Sequence, residues 1–189
     1  MTRENIPQYI ILGLLAHEDM SGYDLKKKID LMISQFWEVG YGQIYPNLKV
    51  LEQEGAITGR SEVSDLGPDR IVYSITDKGR GQLADWLRQP VSKEHVRYEI
   101  LLKTFFGGLL SPADTREKIA DFGRRSTESF HLLEQFEQNL LEVLPNDPDH
   151  LYFYLTVLFG KKVYQAYHDW ALEADQLIEK YFEESLRNK

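Results

Sequence analysis

Ile44, Leu48 and Leu51 recur at i, i+4 and i+7 within residues 40–55, and that spacing marks one stripe of a helix. At 100° per residue the opposite face carries Gln43, Pro46, Lys49, Val50 and Gln53, with Asn47 at its edge. Amide side chains hydrogen-bond base edges and lysine reaches guanine or phosphate, so this face has the chemistry of a DNA recognition helix. Gly55 closes the segment at a position suited to positive φ. Upstream, Ser21 and Asp24 have the spacing of a capping box that opens a preceding helix. Downstream, residues 56–58 and 71–75 read as two short strands around the turn-rich tip 64–69. The order helix, helix, recognition helix, hairpin, helix is that of a winged helix-turn-helix with a two-stranded wing.

The particular residues add to the order. Gly42-Gln43-Ile44-Tyr45-Pro46, then Leu48, Leu51-Glu52-x-x-Gly55 and Tyr73-x-Ile75-Thr76-x-x-Gly79 closely resemble the PadR family of transcriptional regulators. Leu12-Gly13-Leu14-Leu15-Ala16 and Ser21-Gly22-Tyr23-Asp24-Leu25 are similar to that family's first two helices. The likeness is dense over residues 8–88 and looser beyond, where the long C-terminal region is similar to that of larger members, virulence activators among them. It implies a homodimeric regulator of double-stranded DNA, most often a repressor, that releases its operator when a small aromatic effector or a stress signal acts. The DNA contacts it implies are Gln43, Tyr45, Asn47 and Lys49 on the recognition helix, Lys26 on the helix before it, and Arg60 and Arg70 on the wing. Two departures stand out. Gly40 replaces the usual Ser or Thr cap, and the wing tip, Gly67-Pro68-Asp69-Arg70, is less basic than in relatives.

Charge argues against DNA. The net charge is −8, with 10 Lys and Arg against 13 Asp and Glu in residues 1–90 (net −3) and 12 against 17 in residues 91–189 (net −5). A DNA-binding domain is ordinarily basic. A local face formed by Arg3, Lys26, Lys27, Lys28, Lys49, Arg60 and Arg70 must then carry the attraction, and binding should be sensitive to salt.

The first helix is expected over residues 6–17, with Tyr9, Ile10, Leu12, Leu14 and Leu15 in the core, and the second over residues 21–36. Residues 18–20 read as a turn, and Trp37 is expected to pack between helices. A helix from Thr76 to residue 89 should bury Leu83, Trp86 and Leu87. Residues 90–93 divide a DNA-binding domain, 1–90, from a helical dimerisation and effector domain, 91–189.

Beyond that boundary the chain reads as wholly helical. One helix is expected over 96–107, with Ile100, Leu101 and Phe105 inward. Another begins at Ser111-Pro112 and carries a 3-4 seam from Ile119 to Val143. The last, from Pro148 to Arg187, would run about 60 Å. Its start, residues 151–159, is apolar on all sides, and such a helix must be covered on all sides. A heptad seam follows through Gly160, Val163, Tyr167, Trp170, Ala174, Leu177 and Tyr181. A partner subunit is therefore expected on Leu151, Leu155, Leu158, Phe159, Val163, Tyr167, Trp170, Leu177 and Tyr181. The resemblance further implies an effector-sensitive hinge at Trp86, Pro90 and the helix near Val96, with Tyr152 and Tyr154 as effector contacts.

Other functions find little support. The chain has no Cys, which excludes disulfides, thiolate metal sites and thiol nucleophiles. The five His are scattered and no catalytic motif is present, so neither an enzyme nor a cofactor is expected. No signal peptide and no apolar run of about 20 residues appears, which predicts a soluble cytoplasmic protein without membrane contact. Two rivals remain: a winged-helix protein–protein module without DNA binding, and a helical carrier with Tyr152, Phe153, Tyr154, Phe159 and Trp170 as its pocket.

Overall fold

The structure, a computed structural model, describes residues 5–34, 36–62, 70–91, 96–147 and 149–187, with side chains for all of these except 41 and 183–187. Arg3, the wing tip 64–69, residues 92–93 of the expected boundary and His95 lie outside the described residues. The chain divides into two compact units, Met1–Lys93 and Glu94–Lys189.

In the first unit α1 (Ile6–His17) buries Ile11, Leu12 and Leu15 and has Pro7 in its first turn. The β1 strand (Met20–Ser21) follows, and Ser21 then opens α2 (Gly22–Lys28) through a complete capping box. The Asp24 N–H donates to Ser21 Oγ and the Ser21 N–H to the Asp24 carboxylate, both at 3.2 Å. A π-helical turn, Ile29–Ile33, continues α2. Helix α3 (Tyr41–Gln53) leads through Gly55, the one residue described with positive φ (71°), to the hairpin β2 (Ile57–Glu62) and β3 (Arg70–Ile75). Helix α4 (Asp77–Leu87) closes the unit.

The sheet is antiparallel with order β1-β3-β2, because Met20 and Ser21 pair with Tyr73 and Val72. The wing therefore has a third strand where the sequence suggested a turn; two residues are too few to show alternation. The core joins Ile11, Leu12 and Leu15 to Leu25, Ile29, Ile44, Leu48, Leu51, Ala56, Ile57 and Tyr73.

Thr76-x-x-Gly79 has a physical explanation. The Thr76 hydroxyl shares its one proton between the carbonyls of Gly55 (2.8 Å) and Ala56 (3.0 Å) and accepts from the Gly79 N–H (3.1 Å). It thus ties the end of α3 to the start of α4. Gly79 lies so close to that backbone that a Cβ there would meet the Ala56 carbonyl oxygen at 2.1 Å.

Several packing expectations need correction. Leu87 is 66% exposed and Trp37 43% exposed. Trp86 is only half-buried, its ring stacked on Tyr9 at 4.7 Å between centroids. The π turn advances the helix by an extra residue per turn and leaves Leu31 and Met32 exposed.

In the second unit α5 is short (Glu99–Phe105), with Leu101 exposed and Phe105 82% exposed rather than inward. Ser111 and Asp114 form another capping box at the head of α6 (Pro112–Val143). Helix α7 (His150–Arg187) has 38 residues, a length of about 57 Å. The two helices run antiparallel: Arg116 meets Asp175 (2.7 and 3.1 Å), Gly123 lies against Ala171, Thr127 bonds His168 (2.9 Å) and Leu133 lies against Gly160. Ile119, Leu133, Val157 and Ala171 are buried between them.

This pairing accounts for part of the seam expected on α7. Tyr167 and Trp170 face α6, their rings 5.5 and 5.6 Å from Phe122, and Leu158 and Val163 are partly covered. Leu151, Leu155, Phe159, Leu177 and Tyr181 remain exposed. A heptad seam shows that a helix meets a helix; it does not say whose.

Candidate nucleic-acid interface

Helix α3 presents its polar face because the opposite stripe is locked inward: Ile44, Leu48 and Leu51 are fully buried. Gln43, Tyr45, Pro46, Lys49, Val50 and Gln53 are exposed. With Gly at the cap, Gln43 supplies a side-chain cap of its own. Its Oε1 accepts the Gly40 N–H at 3.2 Å. A backbone amide can only donate, so the Gln43 NH2 group is the end that faces outward. In this arrangement Gln43 is a donor, suited to guanine O6 and N7 or thymine O4, rather than the bidentate partner of adenine.

Tyr45 is 62% exposed, and its ring leans over Gly22 at the head of α2. A methyl group at residue 22 would stand 2.7 Å from Tyr45 Cε1, so Gly22 makes room for the ring.

Asn47 is not on this face. It is 7% exposed, its Nδ2 donates to the Gln43 carbonyl (2.7 Å) and its Oδ1 accepts from Asn5 Nδ2 (2.6 Å). The signal was available in the sequence: residue 47 is three after Ile44 and four before Leu51, within the buried stripe. Asn47 holds the helix against the start of α1 and cannot read a base while it does so.

On α2, Lys27 is exposed, Lys26 is half-buried, and Lys28 is ion-paired with Glu18. The wing arginines are also engaged. Arg60 reaches Asp19 at 2.7 Å and Glu62 at 3.3 Å. Arg70 holds Glu62 through Nε and Nη2 (3.2 and 3.1 Å) and lies 3.9 Å from Asp24. Glu62 and Arg70 face each other across the hairpin. The Ser74 hydroxyl and then Arg60 hold the Asp19 carboxyl below its usual range, and Arg70 and then Arg60 do the same for Glu62. The sequence marks Asp24 as a helix cap and gives no sign of Asp19 or Glu62 as arginine partners, although hairpin register alone pairs Glu62 with Arg70.

The helical unit holds a groove of about 490 Å³ lined by Phe122, Arg125, Ser126, Leu132, Tyr164 and Tyr167. Tyr152 and Tyr154 are not part of it; Tyr152 is exposed and Tyr154 half-buried. Among the described residues no cluster of His, Asp and Glu is arranged to hold a metal ion, and no helix is long and apolar enough to cross a membrane.

A buried-stripe recognition helix, a capped helix before it and a hairpin wing after it define a winged helix-turn-helix domain. Residues 11–85 match the PadR-like family of transcriptional regulators and residues 96–179 the C-terminal domain of virulence activator alpha. The chain belongs to the PadR-like family. It is 38% identical over 116 residues to the negative transcriptional regulator PadR of Bacillus subtilis, covering 60% of this chain and 63% of that one. A second relative, described as a probable transcriptional regulator of Mycobacterium tuberculosis, is 36% identical over 84 residues, 44% of each chain. The matched stretch thus spans less than two-thirds of either curated relative.

By structure, Bacillus subtilis PadR in complex with operator DNA superposes with a TM-score of 0.80 at 30% identity, over 92% of this chain and 99% of that one. The same protein with p-coumaric acid gives 0.72, at 30% identity over 91% and 98%. The Vibrio cholerae virulence activator AphA gives 0.70 at 26% identity, over 93% and 99%.

Proposed function

We propose that this protein is a homodimeric repressor that binds a near-palindromic duplex operator in the cytoplasm and leaves it when a planar aromatic acid binds. In this reading residues 1–90 bind DNA and residues 91–189 dimerise and receive the effector. Gln43, Tyr45 and Lys49 meet the major groove, Lys26 a phosphate, and Arg60 and Arg70 the duplex beside the wing. The observation that carries the reading is the exposed Gln43-Tyr45-Lys49 face on a helix whose other side is locked into the core. The relative described as a negative regulator, and solved both with operator DNA and with p-coumaric acid, supports repression and an aromatic effector.

Dimerisation is supported by the apolar face of α7 that α6 leaves open: Leu151, Tyr152, Leu155 and Phe159, and further along Leu177 and Tyr181. Apolar patches beyond a few hundred Å² are rare on soluble monomers. Two-fold symmetry would set the two α3 helices about 34 Å apart, or a multiple of that, on successive major grooves.

Three alanine variants test the assignment. Gln43→Ala should lose about 1–3 kcal/mol of operator binding and relax the preference at one base position. Lys49→Ala should weaken all sequences alike and reduce the salt slope by about one unit. Asn47→Ala should weaken operator binding without relaxing any position, because it loosens the helix and removes no base contact. Titration of duplexes with every half-site position varied reads all three; unchanged affinity throughout would remove α3 from the interface.

The groove on α6 and α7 suits the effector better than Tyr152 and Tyr154, having aromatic walls; its Arg125 guanidinium, held by Asp121 at 3.0 Å with Glu128 also in the lining, would have to exchange that partner for the acid. Trp86, with one face already on Tyr9, serves as a reporter. Adding p-coumaric acid should release operator DNA and change tryptophan fluorescence in the same concentration range. Release by no aromatic acid would remove the effector from the proposal.

A further inference from the structure

The wing's two described arginines meet three carboxylates. Arg60 is bound by Asp19 and Glu62, and Arg70 by Glu62 with Asp24 at 3.9 Å. A cluster of two cations and three anions carries a net charge of −1, where the arginines alone would offer +2. Non-specific binding to a duplex derives almost wholly from neutralising phosphates and releasing their counterions, so this hairpin contributes little to it as it stands.

We propose that the wing engages DNA by ion exchange: phosphates displace Glu62 and Asp19 from Arg70 and Arg60, and Glu62 is a specificity-determining residue that suppresses binding to the wrong sequence. The proposal rests on the DNA-binding reading above. Exchange needs the hairpin to be held against the duplex while the ion pairs rearrange. Only a sequence that satisfies Gln43, Tyr45 and Lys49 supplies that hold. On any other duplex the carboxylates keep the arginines and repel the backbone. Glu62 occupies the centre of the device because it bonds Arg60 along its own strand and Arg70 across the hairpin. Asp19 and Asp24 have second duties, to Ser74 and to the α2 cap respectively. The pairs are exposed, with both arginines 57% open, so solvent and phosphate have access and the ion pairs add little stability of their own.

Glu62→Gln isolates the effect, since the amide keeps an acceptor for Arg70 and loses only the charge. The full-length protein and this variant would be titrated with a mixed-sequence duplex of roughly 30 base pairs and with an operator duplex recovered from protein-bound genomic DNA. One more phosphate neutralised steepens the salt slope by about 0.9, which at 0.1 M salt is about eightfold in affinity. Glu62→Gln is expected to bind the mixed duplex about eightfold more tightly and the operator by less, so that the ratio of the two falls. Adding Arg70→Gln to Glu62→Gln should erase the gain. Equal affinities for Glu62→Gln and the native chain, or weaker binding by the variant, would overturn the exchange while leaving the recognition-helix assignment standing. A native chain that holds neither duplex at low salt would overturn both.

Discussion

Replacing Leu155 and Phe159 together by Glu is expected to turn the protein into a folded monomer and to weaken operator binding at least about a hundredfold. The two residues sit at i and i+4 on α7, 50% and 67% exposed, beside Leu151 and Tyr152 on the same stripe. In a homodimer covered along this stripe the substitution would bury four unpaired carboxylates, each at a cost of several kcal/mol. In the free chain the same carboxylates face water. The internal α6–α7 contact through Ile119, Leu133, Val157 and Ala171 is left intact, so the monomer should keep its helicity while its melting temperature falls by the stabilisation that dimerisation supplies. The loss at the operator follows from linkage: a second half-site bound within one dimer gains an effective concentration in the millimolar range, which separate monomers lack. Sedimentation equilibrium at micromolar concentration checks the assembly and duplex titration checks the affinity. A variant that still sediments as a dimer would place the interface elsewhere.

The second large effect is on stability. Gly79→Ala should destabilise the winged unit by about 3 kcal/mol, because its methyl group must occupy space 2.1 Å from the Ala56 carbonyl oxygen and 2.9 Å from Ile75 Cγ1. Relief requires α4 to move away from the end of α3, and that movement breaks the Thr76 links to Gly55 and Ala56. For a unit of this size the melting temperature should fall by roughly 12 °C or more. Gly81→Ala is the matched control. It lies in the same helix with nothing within 4 Å of its added methyl, so removing a helical glycine there should stabilise by about 0.5–1 kcal/mol. Opposite signs two residues apart separate steric need from glycine's general cost in a helix, and calorimetry reads both. Equal effects would mean that α4 does not sit on the Ala56 backbone.

How far the sequence could be read depended on whether a feature is local. The stripe of Ile44, Leu48 and Leu51, the Ser21 and Ser111 boxes with their Asp partners, and the strands of the wing all follow from residues near one another in the chain. Their geometry is visible as spacing. The amide of Asn47 has the chemistry of the outward face, but its spacing from Ile44 and Leu51 puts it inside.

The wing arginines looked like free cations because Asp19 and Asp24, which hold them, come from elements some 40 residues earlier in the chain. The seam on α7 was legible as a seam, yet its division between α6 and open surface was not, since either neighbour satisfies a 3-4 repeat. Phe105, Leu87 and Trp37 show the same limit in reverse. An apolar side chain predicts that something covers it, yet these three stay exposed, even where Phe105 meets the edge of the Phe106 ring at 5.1 Å between centroids.

The most direct test of the central claim is sequencing of the genomic DNA bound by the native protein, with the double variant Gln43→Ala, Lys49→Ala as the comparison. The account predicts one recurring inverted repeat whose half-site centres are about 10 base pairs apart or a multiple of that. It also predicts that this repeat is lost from the variant's bound fraction. Bound DNA no different from the input, or a repeat retained equally by the variant, would contradict it.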